Sequence, residues 1–316
     1  MRFINLDTMA EESFIPSDTI LCLGNFDGVH IGHRQLVDSA LAIFSQLDDG
    51  NKKLLTGAWF FESSSYKLVD EIYSLDEKLQ IFSELGLKYA IIADFNEMKY
   101  LSPDSFVNDI IKKECRCIHA ICGENFRFGA KAAGNYESLR HLMNGNATVV
   151  PLFSTPQLGL DSNIVVSSTY IRSLLANGEI KTANELLGKP YSITEEVLHG
   201  KALGRTIGIP TINQLPTKKS LILKNGIYAT LCTFDKKTYL GVTNIGNRPT
   251  VEDNGRKNIE THIIDFNGNC YGKSVKIEFV ERIRDEMKFS SIDELKSQVQ
   301  ADILTAKELL NNYYKR

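Results

Sequence analysis

Two histidines stand three residues apart in the segment GNFDGVHIGH, residues 24–33. The segment follows a short apolar run and opens a stretch of helical character, so His30 and His33 share one side near a helix start. Glycines let backbone approach a ligand closely, and a helix N-terminus offers free N–H groups to phosphate. The pattern predicts a phosphate site in which both imidazoles donate to phosphate oxygens and stabilise developing charge.

A second anion site is indicated by VSSTYIRSLL, residues 166–175. Its hydroxyl residues Ser167, Ser168 and Thr169 lie at a predicted helix N-terminus, and Arg172 follows on the next turn. Taken alone, the three hydroxyl residues are explained as a helix cap. The chain contains neither a GxGxxG nor a Walker A loop.

The elements that must position these residues alternate between apolar and amphipathic segments over residues 19–187. Predicted strands cover residues 19–24, 54–61, 88–95, 117–123 and 146–153. Predicted helices cover residues 33–45, 75–86, 102–114, 168–176 and 179–187. This alternation predicts a doubly wound parallel sheet, an α/β fold.

The pattern changes at GKPYSI, which begins at Gly188 and has the composition of a linker. Short strands separated by Gly, Asn and Pro begin at residues 191, 225, 237, 259 and 274. Such spacing predicts an antiparallel barrel or sandwich, and a final helix is predicted over residues 291–310. We therefore expect two domains, residues 1–187 and residues 188–316.

The charge balance is 36 basic against 39 acidic residues, a net charge of −3, which provides no general field for nucleic acid. No apolar run approaches the ~20 residues that span a bilayer, and the N-terminus lacks the apolar core of a secretory signal. We expect a cytoplasmic protein with no nucleic-acid, membrane or obligate protein partner. Its six cysteines are expected to stay reduced.

Three segments of the first half resemble signatures of the nucleotidyltransferase superfamily and its flavin branch: residues 24–33, CGENFRFGAKAAGNYESL from Cys122, and residues 166–175. Four segments of the second half resemble riboflavin kinase: HGKALGRTIGIPTIN from His199, NGIYA from Asn225, GVTNIGNRPTV from Gly241 and IETHIIDFNGNCYG from Ile259. The chain is similar to the prokaryotic bifunctional riboflavin kinase/FAD synthetases along nearly its whole length. That family implies a Rossmann-like nucleotidyltransferase domain followed by a six-stranded antiparallel β-barrel kinase.

The resemblance implies two reactions. Residues 188–316 would convert riboflavin and ATP into FMN and ADP, and residues 1–187 would convert FMN and ATP into FAD and pyrophosphate. Flavins are then substrates and products rather than a prosthetic group, ATP is the co-substrate, and Mg²⁺ is the cofactor.

The resemblance also implies site residues in the first domain. Catalysis would involve His30, His33 and Arg172, and flavin binding would involve Asn125 and Arg127. The ATP-binding set consists of Gly24, Asn25, Phe26, Asp27, Gly28, His30, His33, Ser167, Ser168, Thr169 and Arg172.

In the second domain the resemblance implies an ATP-binding set of Gly200, Gly204, Arg205, Thr211 and Asn213. Thr211 and Asn213 would also hold Mg²⁺, for which hard oxygen ligands are suited.

Glu260 would be the general base that takes the proton from the ribityl 5′-hydroxyl. Without the resemblance, Glu260 would be interpreted as a solvated strand residue.

The chain departs from the family pattern in the segment FFESSSYKL, residues 60–68, where a Pro-His-Pro-like stretch is usual. Tyr170 also stands where an arginine is common. These departures leave open an active kinase whose adenylyltransferase is slow or depends on reduced flavin. A flavin- or nucleotide-binding regulator without turnover is the alternative from another class, although a binding module needs no base such as Glu260.

Overall fold

The computed structural model describes residues 1–48, 50, 53–62, 71–159, 163–200, 204, 208–216, 223–247 and 257–314. Contacts divide the chain into two compact units, Met1–Ser168 and Thr169–Arg316. No helix in the described part of the chain is both long enough and apolar enough to cross a membrane.

The described residues of the first unit contain seven strands, which form one sheet. They are β1 (Arg2–Asn5), β2 (Ala10–Glu12), β3 (Asp18–Leu23), β4 (Leu54–Phe61), β5 (Tyr89–Ala93), β6 (Cys117–Gly123) and β7 (Ala147–Val150). Their order across the sheet is β2-β1-β5-β4-β3-β6-β7. The last five strands in this order are parallel neighbours, which confirms the predicted α/β fold.

Two antiparallel strands extend this sheet at one edge, where the sequence predicted none. Strand β1 pairs with β5 and β2 pairs with β1. They are four and three residues long, and only the middle of β1 is buried. The sequences of the parallel strands are continuous apolar runs because both of their faces are covered. The short strands at the edge of the sheet have no such sequence pattern.

The helices of the first unit are α1 (Ile31–Leu47), α2 (Leu75–Glu84), α3 (Phe95–Met98), α4 (Pro103–Ser105) and α5 (Tyr136–Leu142). Ser74 and Glu77 form a capping box at the start of α2. Helix α4 continues into a π-helical segment, Phe106–Glu114, so the single helix predicted over residues 102–114 changes type along its length. The backbone bond from Cys115 N to Ile110 O, 2.9 Å, spans the five residues typical of a π-helix.

The second unit begins with helices α6 (Ser168–Asn177) and α7 (Ile180–Leu187). The first residue of α6, Ser168, is counted with the first unit. The described residues of the second unit form six strands: β8 (Tyr191–Glu196), β9 (Ile212–Gln214), β10 (Gly226–Phe234), β11 (Lys237–Asn247), β12 (Lys257–Ile263) and β13 (Ser274–Arg284). Helix α8 (Ile292–Tyr314) ends the described chain. Five of these strands were predicted; β9 is a three-residue strand in a segment with Pro and polar residues.

The six strands form an antiparallel barrel in the order β8-β13-β10-β11-β12-β9. An isolated bridge joins the two ends of this order, with Leu198 N donating to Asn213 O at 2.8 Å. Inside, Thr230, Thr243 and Thr261 are fully buried and linked by hydroxyl hydrogen bonds of 2.8 and 2.9 Å. The antiparallel barrel with a C-terminal helix confirms the fold expected for this half.

Helix α7 packs on the barrel, although the predicted linker separates the two in the sequence. Asn184 Nδ2 donates to the carbonyl of Phe279 in β13 at 2.8 Å, and Asn184 Oδ1 accepts from Tyr191 N in β8 at 2.7 Å. Leu186 and Leu187 are completely buried. These contacts explain why the chain divides after Ser168, whereas composition alone placed the boundary at residue 188.

Helix α8 is attached to the barrel by an ion pair with low exposure. Arg284, at the end of β13, donates through Nε and Nη2 to the two carboxylate oxygens of Asp302 at 2.8 and 2.6 Å. The Asp302 side chain is 3% exposed and that of Arg284 is 17% exposed. Ala306 and Leu310 continue the same contact into the apolar core under the helix.

We predict that Asp302→Ala lowers the free energy of unfolding of the second unit by about 3 kcal/mol, because it leaves a largely buried guanidinium without its carboxylate. Urea unfolding followed by circular dichroism measures the loss.

Asp265→Ala is the matched control. It removes a pair that also reaches α8, through Lys307 at 2.9 Å, but Asp265 is 81% exposed. An exposed pair contributes at most about 1 kcal/mol. Equal losses in the two variants would contradict the special role of Asp302.

Candidate functional sites

The first cluster of candidate residues lies where the order of the parallel sheet reverses. Strands β3 and β6 are parallel neighbours, with Leu23 opposite Cys122 near their carboxyl ends. The chain continues from β3 to β4 on one side, whereas β6 leads to β7 on the other. Open α/β sheets bind ligands in the crevice at such a switch point. The loops that begin at Gly24 and at Glu124 therefore meet at the position expected for a ligand.

The loop between β3 and α1 adopts an unusual backbone conformation. Phe26, Gly28 and Val29 have φ angles of 52°, 79° and 37°. Positive φ is easy for glycine but costly for Val29, whose side chain branches at Cβ and is fully buried here. Sparsely populated backbone conformations of this kind persist where the surroundings enforce them, and they cluster at ligand sites.

Phe26 holds this loop against the hydrophobic core. Its ring makes edge contacts with Phe60 at 6.4 Å, with Phe82 at 5.3 Å and with His33 at 5.2 Å between centroids. Gly24 allows the close fit, because a Cβ at that position would lie 3.2 Å from the Phe26 ring. Phe26, predicted as an ATP-binding residue, is fully buried and supports the loop from below.

The two predicted histidines are stacked on each other, with ring centroids 3.7 Å apart and an interplanar angle of 20°. His30 is 6% exposed, and its Nδ1 has no hydrogen-bond partner among the described residues. Burial lowers the pKa of His30 to about 4, so its imidazole is neutral at pH 7. His30 can therefore donate a hydrogen bond but does not contribute a positive charge in this state.

Asp27 connects the loop to two other segments. Its buried carboxylate accepts a hydrogen bond from Ile72 N at 2.9 Å, and its carbonyl accepts one from Ser168 Oγ at 2.8 Å. The third predicted motif is thus joined to the first through Ser168. The sequence predicted Asp27 and Ser168 to bind ATP, and in the structure both form contacts that hold the loop in place.

The remaining predicted residues of the first domain are largely on the surface. Asn25 is exposed, as are Asn125 and Arg127 beyond the end of β6. In the second unit, Arg172 Nη2 donates to Thr169 Oγ1 at 3.4 Å. Ser167, by contrast, is only partly exposed.

The second cluster of candidate residues lies on the outer face of the barrel. Glu260 in β12 stands directly opposite Asn213 of β9 on one side and Asn244 of β11 on the other. The neighbouring positions of β12, Ile259 and Thr261, are fully buried and point inward. Alternation along the strand therefore places the Glu260 side chain on the outer face beside two amides.

The predicted glycine loop lies directly on this cluster. A Cβ on Gly200 would collide with the amide of Asn213, and one on Gly204 would collide with the carbonyl of Ile209 and approach Thr211 Oγ1 to 3.5 Å. The structure thus brings together Gly200, Gly204, Thr211 and Asn213, as a nucleotide loop over its ligands would require. Arg205 lies outside the described residues. So does most of the segment 60–68 that departs from the family pattern, from Ser63 onward.

Two residues that sequence reasoning missed complete this cluster. Asn258 Nδ2 donates to Glu260 Oε1 at 2.7 Å. The side-chain carbonyl oxygens of Asn244 and Asn258 are buried and have no hydrogen-bond partner among the described residues. Asn244 lies in one of the quoted motifs and Asn258 directly precedes another, but only the strand register shows that they lie beside Glu260.

The oxygen atoms of this cluster are of the type that a hard divalent cation prefers. Thr211, Asn213 and Glu260 supply hydroxyl, amide and carboxylate oxygens, and the unpaired amide oxygens lie beside them. In the described part of the chain, no three His, Cys, Asp or Glu residues form a metal-binding group. The residues fit Mg²⁺ held jointly with a ligand's phosphates better than a closed protein cage.

Comparison with protein-family models gives one match in each half. A model described as FAD synthetase matches residues 13–170, and a model described as riboflavin kinase matches residues 187–310. The bifunctional riboflavin kinase/FMN adenylyltransferase of Escherichia coli strain K12 is 34% identical over 297 residues, 92% of either chain. The protein of the same name from Bacillus subtilis strain 168 is 33% identical over 308 residues, 94% of either chain.

One solved structure is similar over almost the full length. It is the crystal structure of a protein named macrolide-efflux protein from Streptococcus pneumoniae, with a TM-score of 0.83 and 27% sequence identity. The match covers 96% of this chain and 97% of that one. The two chains therefore share both domains in the same order.

We predict that burial of neutral His30 makes the first unit sensitive to acid. Its pKa is about 4 in the fold against about 6.5 when unfolded, so the unfolded chain takes up the proton first as pH falls. The contribution is complete above pH 6.5 and decreases toward pH 4 by up to about 3 kcal/mol. Urea unfolding monitored by fluorescence of Trp59, the single tryptophan, measures it at pH 7 and 4.5.

The comparison uses His30→Asn, which we expect to lose less stability than the wild type between these two pH values. His141→Asn, at an exposed position of α5, is the control and should follow the wild type. If His30→Asn and the wild type lose the same amount, protonation of His30 is not the cause.

Proposed function

The chain belongs to the bifunctional riboflavin kinase/FMN adenylyltransferase family, and we propose that the two clusters described above carry its two reactions. The chain phosphorylates riboflavin with ATP to give FMN and ADP, and it adenylates FMN with ATP to give FAD and pyrophosphate. We assign adenylyl transfer to the switch-point loop with His30 and His33. We assign phosphoryl transfer to the outer face of the barrel around Glu260.

In adenylyl transfer, a phosphate oxygen of FMN attacks the α-phosphorus of ATP, and the bond to the pyrophosphate oxygen breaks. No covalent intermediate with the protein is needed, so positioning and charge stabilisation carry the catalysis. The backbone N–H groups of the loop and the start of α1 are suited to the ATP phosphates. His33 and neutral His30 would donate hydrogen bonds, and Arg172 would supply positive charge.

In phosphoryl transfer, the ribityl 5′-oxygen attacks the γ-phosphorus, and the bond to the ADP oxygen breaks. Glu260 takes the hydroxyl proton as that oxygen attacks. Thr211 and Asn213 would hold Mg²⁺, which when bound offsets the charge of the ATP phosphates. Gly200 and Gly204 let the loop lie close over those phosphates. The observation that supports this assignment is the strand register that sets Glu260 against Asn213.

We also propose that the enzyme works in the cytoplasm and needs no nucleic-acid, membrane or obligate protein partner. All six cysteines are free and buried, as expected for a reducing compartment. The boundary of the kinase stays a proposal as well: its motifs lie within residues 188–316, and we propose that its folding unit includes α6 and α7.

Product analysis separates the candidate functions. The wild-type chain is incubated with riboflavin, ATP and Mg²⁺, and flavins are separated by chromatography. FAD supports the bifunctional enzyme. FMN alone would favour the alternative of a slow or reduced-flavin-dependent adenylyltransferase, and unchanged riboflavin would favour a regulator.

We predict that two substitutions separate the reactions. His33→Ala should reduce FAD formation from FMN by roughly 10²–10³-fold, the usual loss for one donor at an anion-stabilising site. Glu260→Gln keeps the size of the side chain but removes the proton acceptor, so FMN formation should fall by roughly 10²–10⁴-fold, mostly in kcat.

Each variant is the control for the other, because each should leave the other reaction unchanged. Parallel loss of both activities in a folded variant would contradict two independent sites. Glu260→Gln with more than about a tenth of the wild-type kinase turnover would fall below the general-base range and overturn that assignment.

We predict that residues 169–316 form a stable, active riboflavin kinase, whereas residues 188–316 are markedly less stable. The shorter fragment loses α7, and with it the Asn184 bonds to β8 and β13 and the buried Leu186 and Leu187. Circular dichroism melts and FMN formation measure both properties. Equal stability of the two fragments would place α6 and α7 outside the kinase folding unit.

A further inference from the structure

Lys78 is a buried lysine of the first unit that neither proposed reaction uses. It lies in α2, and its side chain is 2% exposed. Its ammonium group donates to Glu71 Oε1 at 2.9 Å, and the Glu71 side chain is 15% exposed. Lysine is almost never buried to this extent unless it is paired. Lys78 and Glu71 therefore form an ion pair inside the folded unit.

The pair connects α2 to the short segment that precedes it, residues 71–74. Glu71 lies three residues before Ser74, the N-cap of the helix, and its bond to Lys78 holds it against the first turn. The next residue, Ile72, donates its backbone N–H to the Asp27 carboxylate of the switch-point loop at 2.9 Å. Lys78 thus fixes the chain one residue before the point at which it bonds to that loop.

The ammonium group also lies against the aromatic support of the switch-point loop. Lys78 Nζ is 4.8 Å from the centroid of the Phe60 ring, within the range of a cation–π interaction. Phe60 is fully buried and makes an edge contact with Phe26, the loop residue that packs into the core. Lys78 therefore contacts both supports of the loop, the segment bonded to Asp27 and the ring behind Phe26.

Stability alone does not account for a buried ion pair at this position. Taking two charges out of water is costly, and apolar side chains of similar volume often replace such a pair with no loss of stability. A buried charge without its partner is strongly unfavourable, however, so Glu71 has to stay at the ammonium group. The pair therefore restricts the path of residues 71–74 more narrowly than apolar contacts would.

We propose that Lys78 is a positioning residue for adenylyl transfer. Through Glu71 and Phe60 it holds Asp27 and Phe26, and thereby the switch-point loop, in the conformation that receives the phosphates of ATP. This proposal rests on the proposed assignment of adenylyl transfer to that loop.

The experiment measures FAD formation from FMN and ATP in two variants and the wild type. Lys78→Met removes the charge but keeps an unbranched side chain. Lys78→Met combined with Glu71→Leu replaces the whole pair by apolar side chains. A displacement of about 1 Å at a site of this kind can cost about 100-fold in rate, so we expect kcat/KM for ATP to fall by about 10- to 100-fold in both variants.

Thermal melts followed by fluorescence of Trp59, the single tryptophan, distinguish positioning from stability. Lys78→Met leaves a carboxylate of low exposure without its partner, so the melting temperature of the first unit should fall. The double variant contains no unpaired charge, so its melting temperature should return to the wild-type value or exceed it. If the pair positions the loop, FAD formation stays low in the double variant although stability is regained.

Two controls accompany these variants. FMN formation from riboflavin is the internal control and should keep its wild-type kcat and KM, because the kinase cluster lies in the other unit. Lys88→Met is the matched control, since it removes another lysine–carboxylate pair of the first unit, with Asp7 at 2.9 Å, in which both side chains are exposed. It should keep wild-type FAD formation.

His33→Ala, measured alongside, separates the two hypotheses. If His33→Ala forms FAD at the wild-type rate, the assignment of adenylyl transfer to the loop fails. If His33→Ala is impaired but the folded double variant has wild-type constants for FAD formation, Lys78 has only a structural role and the proposal is overturned. A double variant that does not fold would show that the pair is needed for the fold itself, and it would overturn the proposal as well.

Discussion

Register between β9, β12 and β11 is the constraint on which the barrel's chemistry depends. Side chains alternate between the two faces of a strand, so a slip of one residue would turn Glu260 into the core and bring Ile259 or Thr261 to the surface. Gln214 opposes such a slip. Its amide is fully buried and donates to the carbonyls of Glu195 at 2.6 Å and Val275 at 2.8 Å, in β8 and β13. With Gln214 held inside, Asn213 must face outward beside Glu260.

In the first unit, the conformation of the phosphate loop likewise depends on the residues packed around it. Its phosphate loop takes a conformation that Val29 alone would not favour, so other groups must enforce it. Phe26 is held by the aromatic core, and Asp27 is held through both its carboxylate and its carbonyl. The energy that stabilises this loop comes from the packing and hydrogen bonds beneath it.

The sequence was informative wherever local pattern determines structure. The five parallel strands were predicted because strands buried on both faces are continuous apolar runs. Strands β1, β2 and β9 were missed because they are short and lack the apolar run that marks the similarly short β7. The predicted boundary at Gly188 rests on linker composition, a local feature, and stays a prediction. The division of contacts after Ser168 depends on the attachment of α7, through Asn184 contacts with distant strands.

For the sites, residue types and motifs identified the participants, but not their environment. His30 is neutral because it is buried, and its ring is stacked on that of His33. The spacing of the two histidines in the sequence reveals neither property. Asn258 was hidden for another reason: an asparagine two positions before a glutamate is ordinary until the fold shows its amide nitrogen bonded to that glutamate.

Burial of the six cysteines determines how the folded protein reacts with oxidants. Desolvation raises the pKa of Cys117, Cys122 and Cys232 to about 12, and it raises the pKa of the other three thiols as well. At neutral pH a thiol with such a pKa is ionised in roughly one molecule in 10⁵, and the thiolate is the form that reacts with peroxide or exchanges disulfides. Peroxide and disulfides therefore meet no readily ionised thiol on the folded chain, so cysteine oxidation is not a route by which oxidative stress would stop this supply of redox cofactors.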